Sequence, residues 1–217
     1  MTTQNYRGRF VWHDMMTTDP AATKAFYAGL FGWRTEALET PMGPYEMLHL
    51  GDRPIGGIVA LDPEHVPGVP SHWVGYVDVE DADACVARSE ASGGRTHMPV
   101  SEIPGVGRFA VLLDPLGGVI YPFQCAEGAE RPPILEQLLP GMFCWDELNS
   151  KDPAASMAYY AETFGWTYED SDMGEMGIYH RILCAAGAGV GGIMKTPCDE
   201  QPHAWLTYIG VESIDAC

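Results

Sequence analysis

The sequence predicts an α+β fold made of tandem βαβββ units, and two observations carry that prediction. The first is a long internal repeat. Residues 10–33 return 133 positions later as residues 143–166, with 12 of 24 aligned pairs identical, where average composition would give about one or two. The identities include Trp12/Trp145, Asp19/Asp152, Pro20/Pro153, Tyr27/Tyr160 and Phe31-Gly32-Trp33 against Phe164-Gly165-Trp166. A second block, residues 70–85 against 202–217, keeps Trp73/Trp205, Tyr76/Tyr208, Val79/Val211 and Asp83-Ala84-Cys85 against Asp215-Ala216-Cys217. The other observation is that strand and helix periodicities recur in one order along the whole chain. One module was copied, which places a first module at residues 8–125, a linker at 126–140 and a second module at 141–217.

Each element has a local reason. Residues 10–16 alternate as a strand does, with Val11 and Met15 on one face and Phe10, Trp12, Asp14 and Met16 on the other. Asp19-Pro20 starts a helix, Asp as N-cap and Pro at the first position, where its missing N–H costs nothing. Ala22, Phe26 and Leu30 are expected to form its core-facing stripe, and Gly32 to stop it. Strands follow at 34–38, 45–50 and 54–61, separated by turns rich in Pro and Gly. The pattern restarts with a strand at 72–79, a helix opened by Glu80-Asp81 and closed by Gly93-Gly94, and strands at 96–99, 109–113 and 119–123. The third unit spans about 142–195, and a fourth begins at His203 and reaches its first helical turn at Cys217. By comparison with residues 86–123, the second module is expected to need some 40 further residues. A homodimer is the alternative way to cover its open edge.

Composition narrows the function. A net charge of −18 repels phosphate backbones and anionic membrane surfaces, so neither nucleic acid nor membrane is an expected partner. No run reaches the roughly 20 apolar residues of a membrane span, and the polar start has no secretory core, so the cytoplasm is the expected location. The six cysteines are scattered singly, without metal or disulfide spacing. A small-molecule ligand is the remaining partner class.

The paired βαβββ pattern, the Phe26-Tyr27…Phe31-Gly32-Trp33 helix end and the Asp114-Pro115-Leu116-Gly117 turn together resemble the vicinal oxygen chelate superfamily, which holds glyoxalases, bleomycin-resistance proteins and extradiol dioxygenases. The resemblance covers the whole chain. It implies that units join edge to edge as a half-open eight-stranded sheet whose concave face is a ligand cup. It also implies four metal-ligand places in that cup, and in the first module these hold Trp12, no His, Asp or Glu on strand 54–61, Val74 and Tyr121. A transition metal needs three or four converging N, O or S donors. No metal and no cofactor are therefore expected.

In place of a ligand the first strand presents Trp12 with Asp14 two residues on, and the repeat presents Trp145 with Glu147. A carboxylate beside an indole in an apolar cup has its charged form disfavoured, which suits a general base. Asp14 and Glu147 are the candidate catalytic residues, against a structural role at the seam between units. Trp12, Trp73, Tyr76, Tyr121, Trp145 and Trp205 are the candidate ligand-stacking residues, against core packing. The functional expectation is a protein that binds a small aromatic or carbonyl-containing molecule in a metal-free cup. The alternatives are a lyase or isomerase using Asp14 or Glu147 as base, or a dioxygenase-type enzyme with an unorthodox site built from His72 with Asp14 or Asp78. Arg108 is a candidate neutraliser of Asp14. The paired glycines Gly56-Gly57 and Gly191-Gly192 mark a bulge or a close backbone approach.

Overall fold

A computed structural model describes residues 5–64, 66–129, 131, 134, 138–215 and 217. Six positions of the expected linker (130, 132–133 and 135–137) and Ala216 of the fourth unit's expected helical turn lie outside them. The order is β1 (Phe10–Thr17), α1 (Pro20–Phe31), β2 (Arg34–Thr40), β3 (Gly43–Leu50), β4 (Arg53–Ala60), β5 (His72–Asp78), α2 (Ala82–Ala91), β6 (Arg95–Ile103), β7 (Gly107–Leu113) and β8 (Val119–Cys125). The repeat follows as β9 (Phe143–Ser150), α3 (Pro153–Phe164), β10 (Thr167–Asp172), a 3₁₀ turn at Gly174–Met176, β11 (Ile178–Leu183), β12 (Gly189–Lys195) and β13 (Ala204–Ile209). One sheet has eight strands in the order β2-β3-β4-β1-β5-β8-β7-β6, and the other five in the order β10-β11-β12-β9-β13. No helix of the described residues is long and apolar enough to cross a membrane.

Helix starts follow the sequence signals closely. The Asp19 carboxylate accepts the Ala22 N–H at 2.9 Å, and Asp152 accepts that of Ala155 at 3.0 Å. Each satisfies one of the orphan donors of a first turn. Gly32 and Gly165 close their helices in the left-handed conformation.

The residues gather into two compact units that cut across the repeat: Met1–Val11, Gly75–Ile134 and Trp145–Leu206 form the larger, and Trp12–Val74, Leu135–Cys144 and Thr207–Cys217 the smaller. In the larger unit α2 lies on α3. Ser89 and Tyr159 share a hydroxyl hydrogen bond of 2.7 Å, and the Arg88 guanidinium donates twice to the Thr163 carbonyl at 3.1 and 3.0 Å. Its core holds Val77, Leu112, Ile120, Leu148, Tyr160, Trp166, Ile182 and Ile193. In the smaller unit Trp33, Leu48, Ile55 and Ile58 are buried, with Tyr27, Phe31, Trp73 and Phe143 packed around them.

The stripe expected on the first helix is corrected here. No residue of α1 is buried, and Phe26 is 60% exposed. Tyr27 and Phe31, one position further round, make the contact with the core. On α3 the equivalent of Phe26, Tyr159, is only 2% exposed because α2 covers it.

Candidate functional site

In the smaller unit the strand alternation places Trp12 and Asp14 on one face of β1, and β3 brings Tyr45 to them. The Trp12 indole N–H donates to the Tyr45 hydroxyl at 2.9 Å and to Asp14 Oδ1 at 3.0 Å, while the Tyr45 hydroxyl donates to the same Oδ1 at 2.7 Å. Asp14 is 3% exposed. Gly57 is the register partner of Asp14 on β4, and a Cβ there would collide with the Tyr45 phenol and stand 2.7 Å from Asp14 Oδ1. The paired glycine thus marks a close approach, and only Gly leaves room for the phenol. Burial first, and the Asp14 carboxylate beside it, push the Tyr45 phenol far above its ordinary range. It stays a neutral donor.

The larger unit repeats the Trp–Tyr hydrogen bond and the close glycine, with Glu147 at the strand position equivalent to Asp14. Trp145 donates to the Tyr179 hydroxyl at 2.6 Å, Glu147 pairs in register with Gly192, and a Cβ on Gly192 would collide with the Tyr179 hydroxyl. Glu147 is buried. Tyr76 and Tyr121 are register partners on β5 and β8 with ring centroids 4.9 Å apart, and Phe109 stacks on Tyr121 at 6.0 Å. They form an aromatic platform on one face of their strands.

Trp73 and Trp205 sit elsewhere. Trp73 donates to the Tyr27 hydroxyl at 2.8 Å and packs edge-on against Phe143, on the face toward α1. Trp205 does the same with Tyr160 of α3, at 2.9 Å. The structure brings Trp12 to Asp14 and Tyr76 to Tyr121, and it places Trp73 and Trp205 in helix-side cores. Arg108 pairs with Asp83 at 2.8 Å rather than with Asp14. His72 has Nδ1 2.8 Å from the Pro70 carbonyl, and Asp78 is held by Arg131 at 2.6 Å.

Two features escaped sequence reasoning. Tyr45 and Tyr179 are equivalent, but the turn before them differs by one residue between copies, so the repeat alignment lost them. The second is a buried hub at Asp114, whose Oδ2 accepts from Tyr160 at 2.9 Å and meets His203 Nε2 at 2.7 Å while Oδ1 accepts the Leu116 and Gly118 N–H groups. Burial alone would raise this carboxyl, yet the hydrogen bond and charge of His203, with Gly118 and Tyr160, bring it below its ordinary value. His203 stands opposite Ser71 in the first copy, so the repeat gave no hint of it.

The donor set does not fit a transition metal. Where the family resemblance implies a first ligand, Trp12 presents an indole N–H, itself a hydrogen-bond donor already committed to Tyr45 and Asp14. Among the described residues no three His, Cys, Asp or Glu side chains gather in a way that could hold an ion.

Comparison with known proteins adds four findings. The family model described as Glyoxalase/Bleomycin resistance protein/Dioxygenase superfamily matches residues 9–120. The Mycobacterium tuberculosis protein named "Putative glyoxylase CFP32" is 32% identical over 207 residues, covering 94% of this chain and 78% of its own. The anthracycline biosynthesis protein DauV of a Streptomyces species is 29% identical over 225 residues, covering 96% and 79%. Among solved structures, the Mn(II)-bound glyoxalase from Novosphingobium aromaticivorans superposes with a TM-score of 0.66 at 17% identity, over 98% of this chain and 68% of that one.

Proposed function

The chain belongs to the glyoxalase/bleomycin resistance protein/dioxygenase superfamily, and we propose that within it this protein binds a small aromatic or carbonyl-containing molecule without a metal ion. The single observation that carries the reading is the Trp12, Tyr45 and Asp14 cluster. It occupies the strand position where the family resemblance calls for a first ligand, and it offers a ligand an indole face, a neutral phenol and a carboxylate instead. The indole face suits a flat ring system. Asp14, its Oδ1 held by two donors, suits recognition of a hydroxyl or amine on the rim of that ring. Trp145, Tyr179 and Glu147 are proposed to do the same in the second module, with an acid one methylene longer. Tyr76 and Tyr121 are proposed as a further stacking surface. The name of the Streptomyces relative makes polycyclic aromatic ketones the first class to test.

The experiment is calorimetric titration of the purified protein with a polycyclic hydroxyquinone, beside metal analysis of the same sample. Binding in the presence of chelator, lost in Trp12→Ala, is the expected result. A stoichiometric transition metal, or binding that chelator abolishes, would overturn the proposal.

A second reading rests on the depth of Asp14. A carboxylate this buried beside a phenol that stays protonated can take a proton from an acidic C–H, and the Tyr45 O–H, released as Asp14 becomes neutral, can turn to donate to the resulting oxyanion. This would be lyase or isomerase chemistry, with Glu147 as its counterpart. Asp14→Asn and Glu147→Gln separate the readings: turnover lost with binding kept supports the base, and undiminished turnover removes it.

A further inference from the structure

One buried side chain of the smaller unit is left without a hydrogen bond. His49 is 9% exposed, and among the described residues neither of its ring nitrogens has a hydrogen-bond partner. Its place on β3 follows from alternation. Glu46 and Leu48 turn toward α1, Glu46 pairing with Lys24 at 2.6 Å and Leu48 joining Trp33 in the core, so Tyr45, Met47 and His49 share the opposite face. That is the face of Trp12 and Asp14, which Tyr45 meets directly. On the neighbouring strand Glu36 stands opposite Met47, and Arg34 opposite His49. The Glu36 carboxylate lies 3.3 Å from His49 Nε2, a charge contact off the line of a hydrogen bond. Arg34 turns away to the Gly51 carbonyl at 3.3 Å.

We propose, resting on the Trp12, Tyr45 and Asp14 site above, that His49, steadied by Glu36, is a further ligand-binding group of this face and takes the proton of an acidic hydroxyl on a flat aromatic ligand, which is then held as its phenolate. A buried ring nitrogen without a partner costs stability, and a ligand hydroxyl supplies the partner. With its Nε2 proton toward Glu36, the neutral imidazole presents the Nδ1 lone pair. The ligand O–H bond breaks, an N–H bond forms at Nδ1 and the electron pair stays on the ligand oxygen, while the Glu36 carboxylate offsets the new imidazolium charge. The spacing suits fused rings. Asp14 and Met47 are both register partners of Gly57, and His49 is two residues beyond Met47, which puts the Asp14 and His49 Cα atoms about 12 Å apart. Side chains reaching in from both ends of that span leave room for a flat system of two or three rings. Solvent does not reach Nδ1 in the free protein, so the ligand has to displace a neighbour. Met47, half-buried between Tyr45 and His49 on the same face, is the flexible one.

The test uses a hydroxyanthraquinone dye, whose ionised form absorbs at longer wavelength than the neutral one, at a pH where the free dye is neutral. Spectra are recorded with the parent protein, His49→Leu, Glu36→Gln and Trp12→Ala, all in the presence of chelator. On binding to the parent, the ratio of ionised to neutral dye should rise by about tenfold or more, a shift of at least about one pKa unit. His49→Leu should bind the dye in its neutral form. Glu36→Gln, at a carboxylate 56% exposed whose removal should not disturb the fold, should lose most of the ionisation. Bound dye that stays neutral in the parent overturns the role of His49 and leaves the Trp12 site in place. So does ionisation that persists in His49→Leu or in Glu36→Gln, since another group would then take the proton. Dye that fails to bind the parent, or binds equally well to Trp12→Ala, removes the underlying site and the role of His49 with it.

Discussion

Trp33 donates its indole N–H to the carbonyl of Gly141 at 2.8 Å. The repeat turns this into an exchange, since Trp166 donates to Gly8 at the same distance and Gly8 and Gly141 are equivalent. Each Phe-Gly-Trp helix end is therefore tied to the chain entering the other module. Both glycines have positive φ, which a side chain would strain. The exchange accompanies the division into units, with Gly8 beside Trp166 in the larger and Gly141 beside Trp33 in the smaller.

Removing either donor strands a buried carbonyl. Trp33→Phe and Trp166→Phe should each lower unfolding free energy by about 1 to 3 kcal/mol, read from urea denaturation. Losses within about 0.5 kcal/mol would show that the exchange contributes little.

Gly57 should tolerate nothing larger. Gly57→Ala forces the Tyr45 phenol away from Trp12 and Asp14, so ligand binding should be lost. Tyr45→Phe should keep the fold and weaken binding by about tenfold or more, as expected for one hydrogen bond to a charged group. Equal affinity in Tyr45→Phe and the parent would remove Tyr45 from the site.

The two helix faces should respond oppositely to truncation. Phe26→Ala, on an exposed face, should change stability by no more than about 0.5 kcal/mol. Tyr159→Ala, beneath α2, should cost about 3 to 5 kcal/mol. Comparable losses would contradict the asymmetry of burial.

Alkaline pH should weaken the protein. Burial pushes the Tyr159 phenol up to about 12 and raises Tyr45, Tyr160 and Tyr168 as well. A phenol raised in the folded state stabilises fully below its unfolded value near 10, and that stability is lost as pH rises through the folded value. Tyr159 alone accounts for about 2 to 3 kcal/mol between those limits. Urea midpoints should fall above about pH 10, less steeply in Tyr159→Phe. A flat profile would mean that these phenols ionise freely.

Acid acts through Asp114. Its folded value is depressed, so its contribution is complete above the unfolded value near 4 and is lost as pH falls through the folded one. Asp114→Ala leaves Tyr160, His203 and two backbone N–H groups without their acceptor, and should cost at least about 3 kcal/mol at neutral pH. A smaller loss with unchanged acid sensitivity would show that the hub is dispensable.

Much of this protein was legible from local signals. The caps at Asp19, Asp81 and Asp152, the glycine stops and the strand alternation act over a few residues, so each βαβββ unit could be read in order. Duplication made the aromatic–acid pairs visible as well, because Trp12 with Asp14 and Trp145 with Glu147 recur at one register. Which face of a helix is buried was not legible. Ala22, Phe26 and Leu30 have the spacing of a core stripe, and only a covering helix makes that stripe a core.

The sequence by itself determined the element order and the superfamily, since both depend on residue identity at fixed spacing. Tertiary structure alone decided that Tyr45 joins Trp12 to Asp14, that Trp73 and Trp205 serve the helix-side cores, and that His203 meets Asp114. Those pairings join residues 31 to 89 positions apart, and a contact over such a separation is set by how sheets and helices pack, which no local pattern encodes.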